Sequence, residues 1–362
     1  MSVRLVVIGG FLGAGKTSSI LKMGKILLDS GKKVGIVTND QGEDLVDTHF
    51  LGSEGLAVFE VTKGCFCCNF DEFTNKLNKL SKTLMPDIIL AEPVGSCTDL
   101  VATIFKPILN NFTKEFVMSP LSIVVDPRRV LKFMNSQKEG AFINEVNYLF
   151  DKQISEGDVI ALNKCDLLPE TQIQTIKEYL EAKYKGAKVV TISALTGDGI
   201  QEWFNEVAFS QAPQKESLDI DYDIYAKAEA ALGWLNNFAT IETPEKIDVS
   251  SFIENIIENI RGKLKLSGNE IAHLKVYAVT STDFSKAGIT SIDDEISFNR
   301  KMQFDSQKFN IIINARVEIN PQDLEIIATS SLNSAVQAFN AEISNIRVDC
   351  FSPSYPKPMY RM

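Results

Sequence analysis

Gly10-Phe11-Leu12-Gly13-Ala14-Gly15-Lys16-Thr17 fits the pattern Gly-x-x-x-x-Gly-Lys-Thr and lies between an apolar run at residues 5–8 and a helical run at residues 20–28. A strand, a glycine-rich turn and a helix in that order build a phosphate-binding loop. Glycines let the backbone turn its N–H groups toward phosphate oxygens, and the start of the helix adds positive potential. Lys16 is placed to reach the terminal phosphates and Thr17 to ligate Mg²⁺. With Gly10, Gly13, Ala14, Gly15 and Ser18 they make up the expected phosphate contacts.

Outward from this loop, short β-rich apolar runs alternate with helical segments from residue 3 to about 208. The strand candidates are 5–8, 34–37, 57–61, 88–91, 122–125, 159–162 and 189–192. The pattern predicts an α/β fold with a mostly parallel sheet covered by helices on both faces. A chain of 362 residues exceeds what one core usually supports, so a second, smaller domain is expected. The division is drawn at 1–212, a P-loop domain, and 213–362, a linker and a smaller α+β domain for binding a partner or for regulation. Residues 211–250 read as a polar boundary within which 219–234 forms a strand. Beyond it, 251–260 and 321–339 read as helices and 273–279, 309–317 and 346–351 as strands.

A phosphate loop does not choose between ATP and GTP, whereas Asn163-Lys164-Cys165-Asp166 after the strand at 159–162 does. A carboxylate at Asp166 can accept from both N1 and N2 of guanine, a pairing that adenine cannot offer. Ser193-Ala194 after the next strand supplies backbone for the guanine carbonyl. Glu92-Pro93-Val94-Gly95 follows the strand at 88–91 and sets a carboxylate on the Mg²⁺ side and a glycine N–H near the γ-phosphate. Lys16, Thr17, Glu92 and Gly95 would carry the phosphate chemistry by positioning and charge stabilisation, without a protein nucleophile. Ser96 stands where Ras-type GTPases carry the glutamine that positions the attacking water, so unassisted turnover is expected to be slow. In the acidic loop Thr38-Asn39-Asp40-Gln41-Gly42-Glu43-Asp44, both Asp40 and Glu43 could face the metal, although an exposed acidic turn has the same composition.

Cys65, Cys67 and Cys68 crowd into four positions after the third strand, too tightly for an ordinary disulfide framework. Closely spaced thiolates bind Zn²⁺, Cu(I) or another transition metal, and three sulfurs leave a tetrahedral site incomplete. Strand-like alternation would aim Cys65 and Cys67 alike and Cys68 away. Cys97 reads as a buried thiol or an added sensor ligand near Gly95; Cys165, Cys350, His49 and His273 read as structural. The proline-spaced segment 351–358 reads as an irregular terminus before it reads as a docking segment.

The order of phosphate loop, acidic loop, Cys-x-Cys-Cys, Glu-x-x-Gly and Asn-Lys-x-Asp resembles the CobW-like metal-chaperone GTPases over roughly residues 1 to 205, relatives of the urease and hydrogenase nickel accessory GTPases. The resemblance implies a SIMIBI-class fold, GTP hydrolysis promoted by dimerisation or a client, and metal bound at Cys65, Cys67 and Cys68. Thr38 stands where many members carry glutamate, while Asp40 keeps a carboxylate and Glu43 is retained. The resulting expectation is a GTP-hydrolysing metallochaperone with GTP, Mg²⁺ and Zn²⁺ or Co²⁺, acting on a client metalloprotein or a cofactor-biosynthesis protein and forming a GTP-dependent homodimer. The alternatives are a nucleotide-dependent partner switch and a chaperone for a metal-cofactor enzyme, such as a corrinoid one, without transfer of free metal. A net charge of -10 argues against nucleic acid and an anionic membrane as partners. Without a signal peptide or an apolar stretch of bilayer length, a cytoplasmic protein is expected.

Overall fold

The computed structural model describes residues 2–39, 51–52, 56–61, 64–112, 114–135 and 143–362. Asp40 and Glu43 lie outside the described residues. The chain falls into two compact units. Among the described residues, the first comprises 2–39, those of Leu51–Ala228, and Tyr355–Met362, and the second is Glu229–Ser354. Among the described residues no helix is long and apolar enough to cross a membrane.

Within β1 (Val3–Gly9), Leu5–Ile8 is apolar without alternation and fully buried, as a strand covered on both faces requires. It sits inside a parallel sheet with β2 (Val34–Asn39), β3 (Ala57–Val61), β4 (Ile88–Glu92), β5 (Phe116–Met118), β6 (Ser122–Val125), β7 (Val159–Leu162) and β8 (Lys188–Thr191), in the order β3-β2-β4-β1-β6-β7-β8. β5 pairs with the start of β1 and β6 with its end, so the two form one interrupted strand. The register sets Val7 beside Ala91, Thr38 beside Glu92, Asn39 beside Val61, and Val125 beside Leu162. The carboxyl ends of the strands are therefore level, and the segments that leave them meet along one edge, where open α/β sheets bind ligands.

The helices follow from the sequence in the same way. α1 (Lys16–Asp29) starts at the end of the phosphate loop. α2 (Phe70–Leu84) buries Phe70, Phe73, Thr74, Leu77 and Leu80, a spacing of three and four that makes one apolar stripe, and carries Asp71 and Glu72 in its first turn, where acidic groups offset the helix dipole. Next come a π-turn at Val101–Phe105, α3 (Lys106–Asn111), α4 (Pro127–Met134), α5 (Asn144–Ser155), α6 (Glu170–Lys183), α7 (Ile200–Ala208) and α8 (Tyr222–Ala230).

The second unit is a six-stranded antiparallel sheet in the order β12-β11-β10-β13-β9-β14, from β9 (Gly233–Ile247), β10 (Ile271–Val279), β11 (Phe284–Ile289), β12 (Ser297–Arg300), β13 (Ser306–Val317) and β14 (Glu342–Phe351). Its core joins Leu235, Ile241, Ile311 and Ile313 of the sheet to Ile256 of α9 (Val249–Ser267) and Leu332 of α10 (Pro321–Ala338). Asp248 caps α9 by accepting from Ser250 and Ser251, and Asn320 caps α10 by accepting from Asp323.

Residues 219–234 are not a strand. Asp221 accepts from the backbone N–H groups of Asp223 and Ile224 and starts α8, and the strand begins only at Gly233. What reads as a polar boundary contains β9, which pairs with both β13 and β14. The Thr243-Pro244 pair that disguises it lies where the pairing register with β13 shifts, so the proline falls in an irregularity that tolerates a missing N–H.

Candidate functional site

Lys16 is buried, and its Nζ donates to the carbonyl oxygens of Gly10 at 2.9 Å and Phe11 at 3.4 Å, so the ammonium lies inside the loop that it closes. Thr17 Oγ1 donates to Glu92 Oε1 at 2.9 Å. The start of α1 and the end of β4 thus bring a hydroxyl and a carboxylate together beside the phosphate loop, and hard oxygens of this kind suit Mg²⁺. Ser18 is half-buried on the first helical turn. Gly95 lies against the phosphate loop: a Cβ there would stand 2.7 Å from Leu12 Cδ2 and 3.1 Å from Leu12 Cα.

The loop after Gly95 is held from α5 and the residue that caps its end by two buried side chains that the motifs do not announce. Gln153 Nε2 donates to the carbonyls of Gly95 at 3.0 Å and Cys97 at 2.8 Å. Glu156 accepts from Val101 N–H and Thr98 Oγ1, both at 3.1 Å. Burial, with the nearby Asp99 carboxylate adding to it, pushes the Glu156 carboxyl up to about 7. In the unfolded chain the same group titrates near its ordinary 4.5, so between these values the folded state keeps a proton that the unfolded state has released. Stability then falls as pH rises through that window and is level above it. The wild type is expected to lose up to about 3 kcal/mol relative to Glu156→Gln between pH 4.5 and 7, measured by denaturant unfolding across the range. Equal pH slopes for the two proteins would remove Glu156 as the cause.

On the far side of the phosphate loop, Asn163 is fully enclosed and works as a brace. Its Nδ2 donates to Ala14 O at 2.8 Å and its Oδ1 accepts from Ala194 N–H at 2.9 Å, tying the phosphate loop to the turn after β8. Asp166 Oδ1 accepts from Ser193 Oγ at 2.5 Å, which fixes the carboxylate's direction. Lys164 adopts a left-handed backbone (φ 60°) and its Nζ meets Asp126 Oδ2 at 2.8 Å. Burial alone would raise Asp126, but Lys164 and Arg128 outweigh it and hold the carboxyl well below the usual carboxylate range. Asp126 was not singled out from the sequence; the available signal was an aspartate before a proline at a strand end, the signature of a helix cap.

Asn39, at the end of β2, organises the cysteine turn. Its Nδ2 donates to the carbonyls of Val61 and Gly64 at 2.9 and 2.7 Å, and its Oδ1 accepts from Phe66 N–H at 2.8 Å. The N–H groups of Cys68 and Asn69 fold back onto Cys65 O, and Phe66 stacks on Phe73 with ring centroids 4.1 Å apart. The turn brings all three sulfurs within 4.8 Å of one another, with Cys65 to Cys67 at 2.8 Å and Cys67 to Cys68 at 4.0 Å. Alternation would have sent Cys68 away, but alternation belongs to strands and this segment is a turn. Hydrogen bonds from the thiols of Cys67, Cys68 and Cys97 pull Cys65 well below the ordinary thiol value, so the cluster favours a thiolate. Donation to that thiolate, with burial added, pushes Cys67 up. Around a tetrahedral zinc, sulfurs stand about 3.8 Å apart, so the Cys67–Cys68 spacing already suits one, and Cys65 and Cys67 would separate by about 1 Å.

The proline-spaced segment is irregular, as expected, with no helix or strand beyond Phe351, yet it is not loose. Residues 355–362 pack on the first unit, with Met359 N–H donating to Cys67 O at 2.9 Å and Tyr360 edge-on to Phe70 at 5.2 Å. Lys357 N–H reaches the Cys68 sulfur. Arg361 Nε pairs with buried Asp99 at 2.7 Å, and Met362 N–H donates to Ala102 O at 3.0 Å. This segment therefore touches both the cysteine turn and the loop after Cys97.

Comparison with known proteins bears on what this arrangement belongs to. The family described as CobW/HypB/UreG, nucleotide-binding domain, matches residues 4–191. The zinc chaperone CobW of Sinorhizobium sp is 28% identical over 218 residues, covering 54% of this chain and 60% of that protein. The zinc-regulated GTPase metalloprotein activator 1 of Dictyostelium discoideum is 25% identical over 286 residues, covering 68% of this chain and 55% of that protein. The zinc chaperone YeiR of Escherichia coli K12 is 30% identical over 177 residues, covering 47% of this chain and 49% of that protein. The matches thus span about half to three-fifths of these relatives' own length. With its phosphate loop, its Asn163–Asp166 segment and its cysteine turn at one end of one sheet inside the matched span, the chain belongs to the CobW/HypB/UreG family.

Proposed function

We propose that this protein binds and hydrolyses GTP with Mg²⁺ and uses the nucleotide state to take up and release a transition metal, zinc first and cobalt second, for a client protein. Bound Mg²⁺ would offset charge on the β- and γ-phosphates. Thr17 and Glu92 hold it, Lys16 and the loop N–H groups hold the phosphates, and Asp166 with the Ser193-Ala194 turn selects guanine. Gly95 reads the γ-phosphate. Turnover is slow until a partner or a second copy completes the water-positioning that Ser96 does not supply. Three relatives bear the names zinc chaperone or zinc-regulated GTPase, which supports zinc as the first metal to try.

The observation that carries the reading is the position of the cysteine turn. It hangs from Asn39 at the end of β2, and β2 runs beside β4, which delivers Glu92 and the γ-phosphate loop. A change in nucleotide therefore acts one strand away from the thiolates. The test is titration of the full chain with Zn²⁺ and Co²⁺ under reducing conditions in its GTP-analogue, GDP and nucleotide-free forms. Metal affinity is expected to differ between nucleotide states by about 5- to 150-fold, the usual size of such coupling. Cys67→Ser should weaken binding in every state. Identical affinity in all three forms would discard the coupling in favour of a nucleotide-switched binding protein with a fixed metal.

A further inference from the structure

We propose that Cys97 is a fourth sulfur ligand to the transferred metal, so that the cysteine turn and the loop after Gly95 close together on one ion. The inference rests on the metal-carrier reading above and adds to it the residue that would transmit the nucleotide state.

The Cys97 side chain is 2% exposed, and its thiol is a hydrogen-bond neighbour of both Cys65 and Cys67. It thus approaches the cluster from the protein interior. Cys68 lies at the other end, half-buried, with its sulfur against Lys357 N–H. Three thiolates leave a tetrahedral soft-metal site one ligand short. The Cys97 sulfur neighbours Cys65 and Cys67 but is not part of the set of three that lie within 4.8 Å of one another, so it closes the site by moving in toward the ion. On binding, each thiol gives its proton to solvent and its sulfur donates the lone pair, so uptake of one divalent ion releases up to about four protons.

Cys97 is not free to move by itself. Its N–H donates to Val94 O at 2.9 Å, and the Gln153 side-chain amide bonds both its carbonyl and that of Gly95. A displacement of Gly95 on gain or loss of the γ-phosphate is therefore passed to the Cys97 sulfur. In one state the ion has four sulfurs and is held; in the other Cys97 withdraws, three remain, and a coordination position opens for a ligand of the acceptor. By linkage, metal that recruits Cys97 must change the affinity for GTP by the same factor as GTP changes the affinity for metal.

Co²⁺ reports this optically, because each thiolate adds to the sulfur-to-metal charge-transfer band. The full chain is titrated with Co²⁺ beside Cys97→Ser and Cys68→Ser, with melting and GTP binding as controls for folding. Cys97→Ser is expected to lose about a quarter of the charge-transfer intensity and at least about 10-fold in affinity, and to abolish the effect of metal on GTP affinity. Zinc-edge X-ray absorption on the wild type counts sulfurs without any variant; four are expected in the metal-retaining state. Three sulfurs in every nucleotide state, or a Cys97→Ser spectrum equal to the wild type's, overturns the assignment while leaving a three-cysteine carrier intact. A wild type that takes up no Co²⁺ or Zn²⁺ overturns the carrier reading itself.

Discussion

Asp166→Asn is expected to weaken GTP binding by about two to four orders of magnitude and to let xanthosine triphosphate bind in its place. Two charge-assisted hydrogen bonds to guanine N1 and N2 contribute roughly 1.5–3 kcal/mol each, which sets that range. The direction comes from the neighbour. Ser193 Oγ donates to Asp166 Oδ1 at 2.5 Å, so an asparagine in its place keeps its oxygen toward Ser193 and turns its amide N–H group toward the base. That group faces the guanine donors and is repelled, while xanthine offers a carbonyl at the same position. Inosine triphosphate, lacking the N2 amine, should bind the wild type about 10-fold or more below GTP. Titration with fluorescent analogues of the three nucleotides measures all of this. An asparagine variant that binds GTP like the wild type would remove Asp166 from base recognition.

What the sequence reveals and conceals about this chain has a physical pattern. Each of the seven strands read in the first unit is a run of apolar residues bounded by turn signals, and each lies within or overlaps a strand of the sheet. β5 was illegible because three residues, Phe116–Met118, carry no period and gain meaning only by pairing with β1. β9 was concealed by Pro244 and by charged residues at its exposed end, where side chains face water and do not betray the strand. The phosphate-loop, Asn-Lys-x-Asp and cysteine patterns are local and can be read in the sequence; the residues that hold them in place cannot. Asn39, Asp126, Gln153 and Glu156 act through contacts across the sheet, 25 residues away from Gly64 for Asn39 and 58 from Gly95 for Gln153. The segment 355–362 is the extreme case, since nothing in its composition states that Arg361 will meet Asp99, 262 positions earlier.

Alanine at the two positive-φ glycines that bound the phosphate loop should separate folding from binding. At Gly10 (φ +133°) a Cβ would stand 2.2 Å from Val124 O and 3.0 Å from Val124 N, both backbone atoms of β6 in the middle of the sheet. Neither can yield without displacing the strand. Strain of about 1–3 kcal/mol adds to that clash, so Gly10→Ala is expected to cost about 3–5 kcal/mol and to lower the melting temperature by roughly 10 °C in the absence of nucleotide. At Gly15 (φ +94°) the nearest atom is Asn163 Nδ2 at 2.3 Å, the end of a side chain, which can rotate away. Rotation spares the fold but breaks the amide's bonds to Ala14 and Ala194, and with them the link between the phosphate loop and the turn after β8. Gly15→Ala should therefore cost only about 1–3 kcal/mol of stability yet weaken GTP binding by about 100-fold or more. Thermal unfolding without nucleotide, paired with nucleotide titration of whatever remains folded, reads both quantities. If the two variants lose stability equally, the sheet rather than the Asn163 brace governs the loop, and the division of labour drawn from their neighbours is wrong.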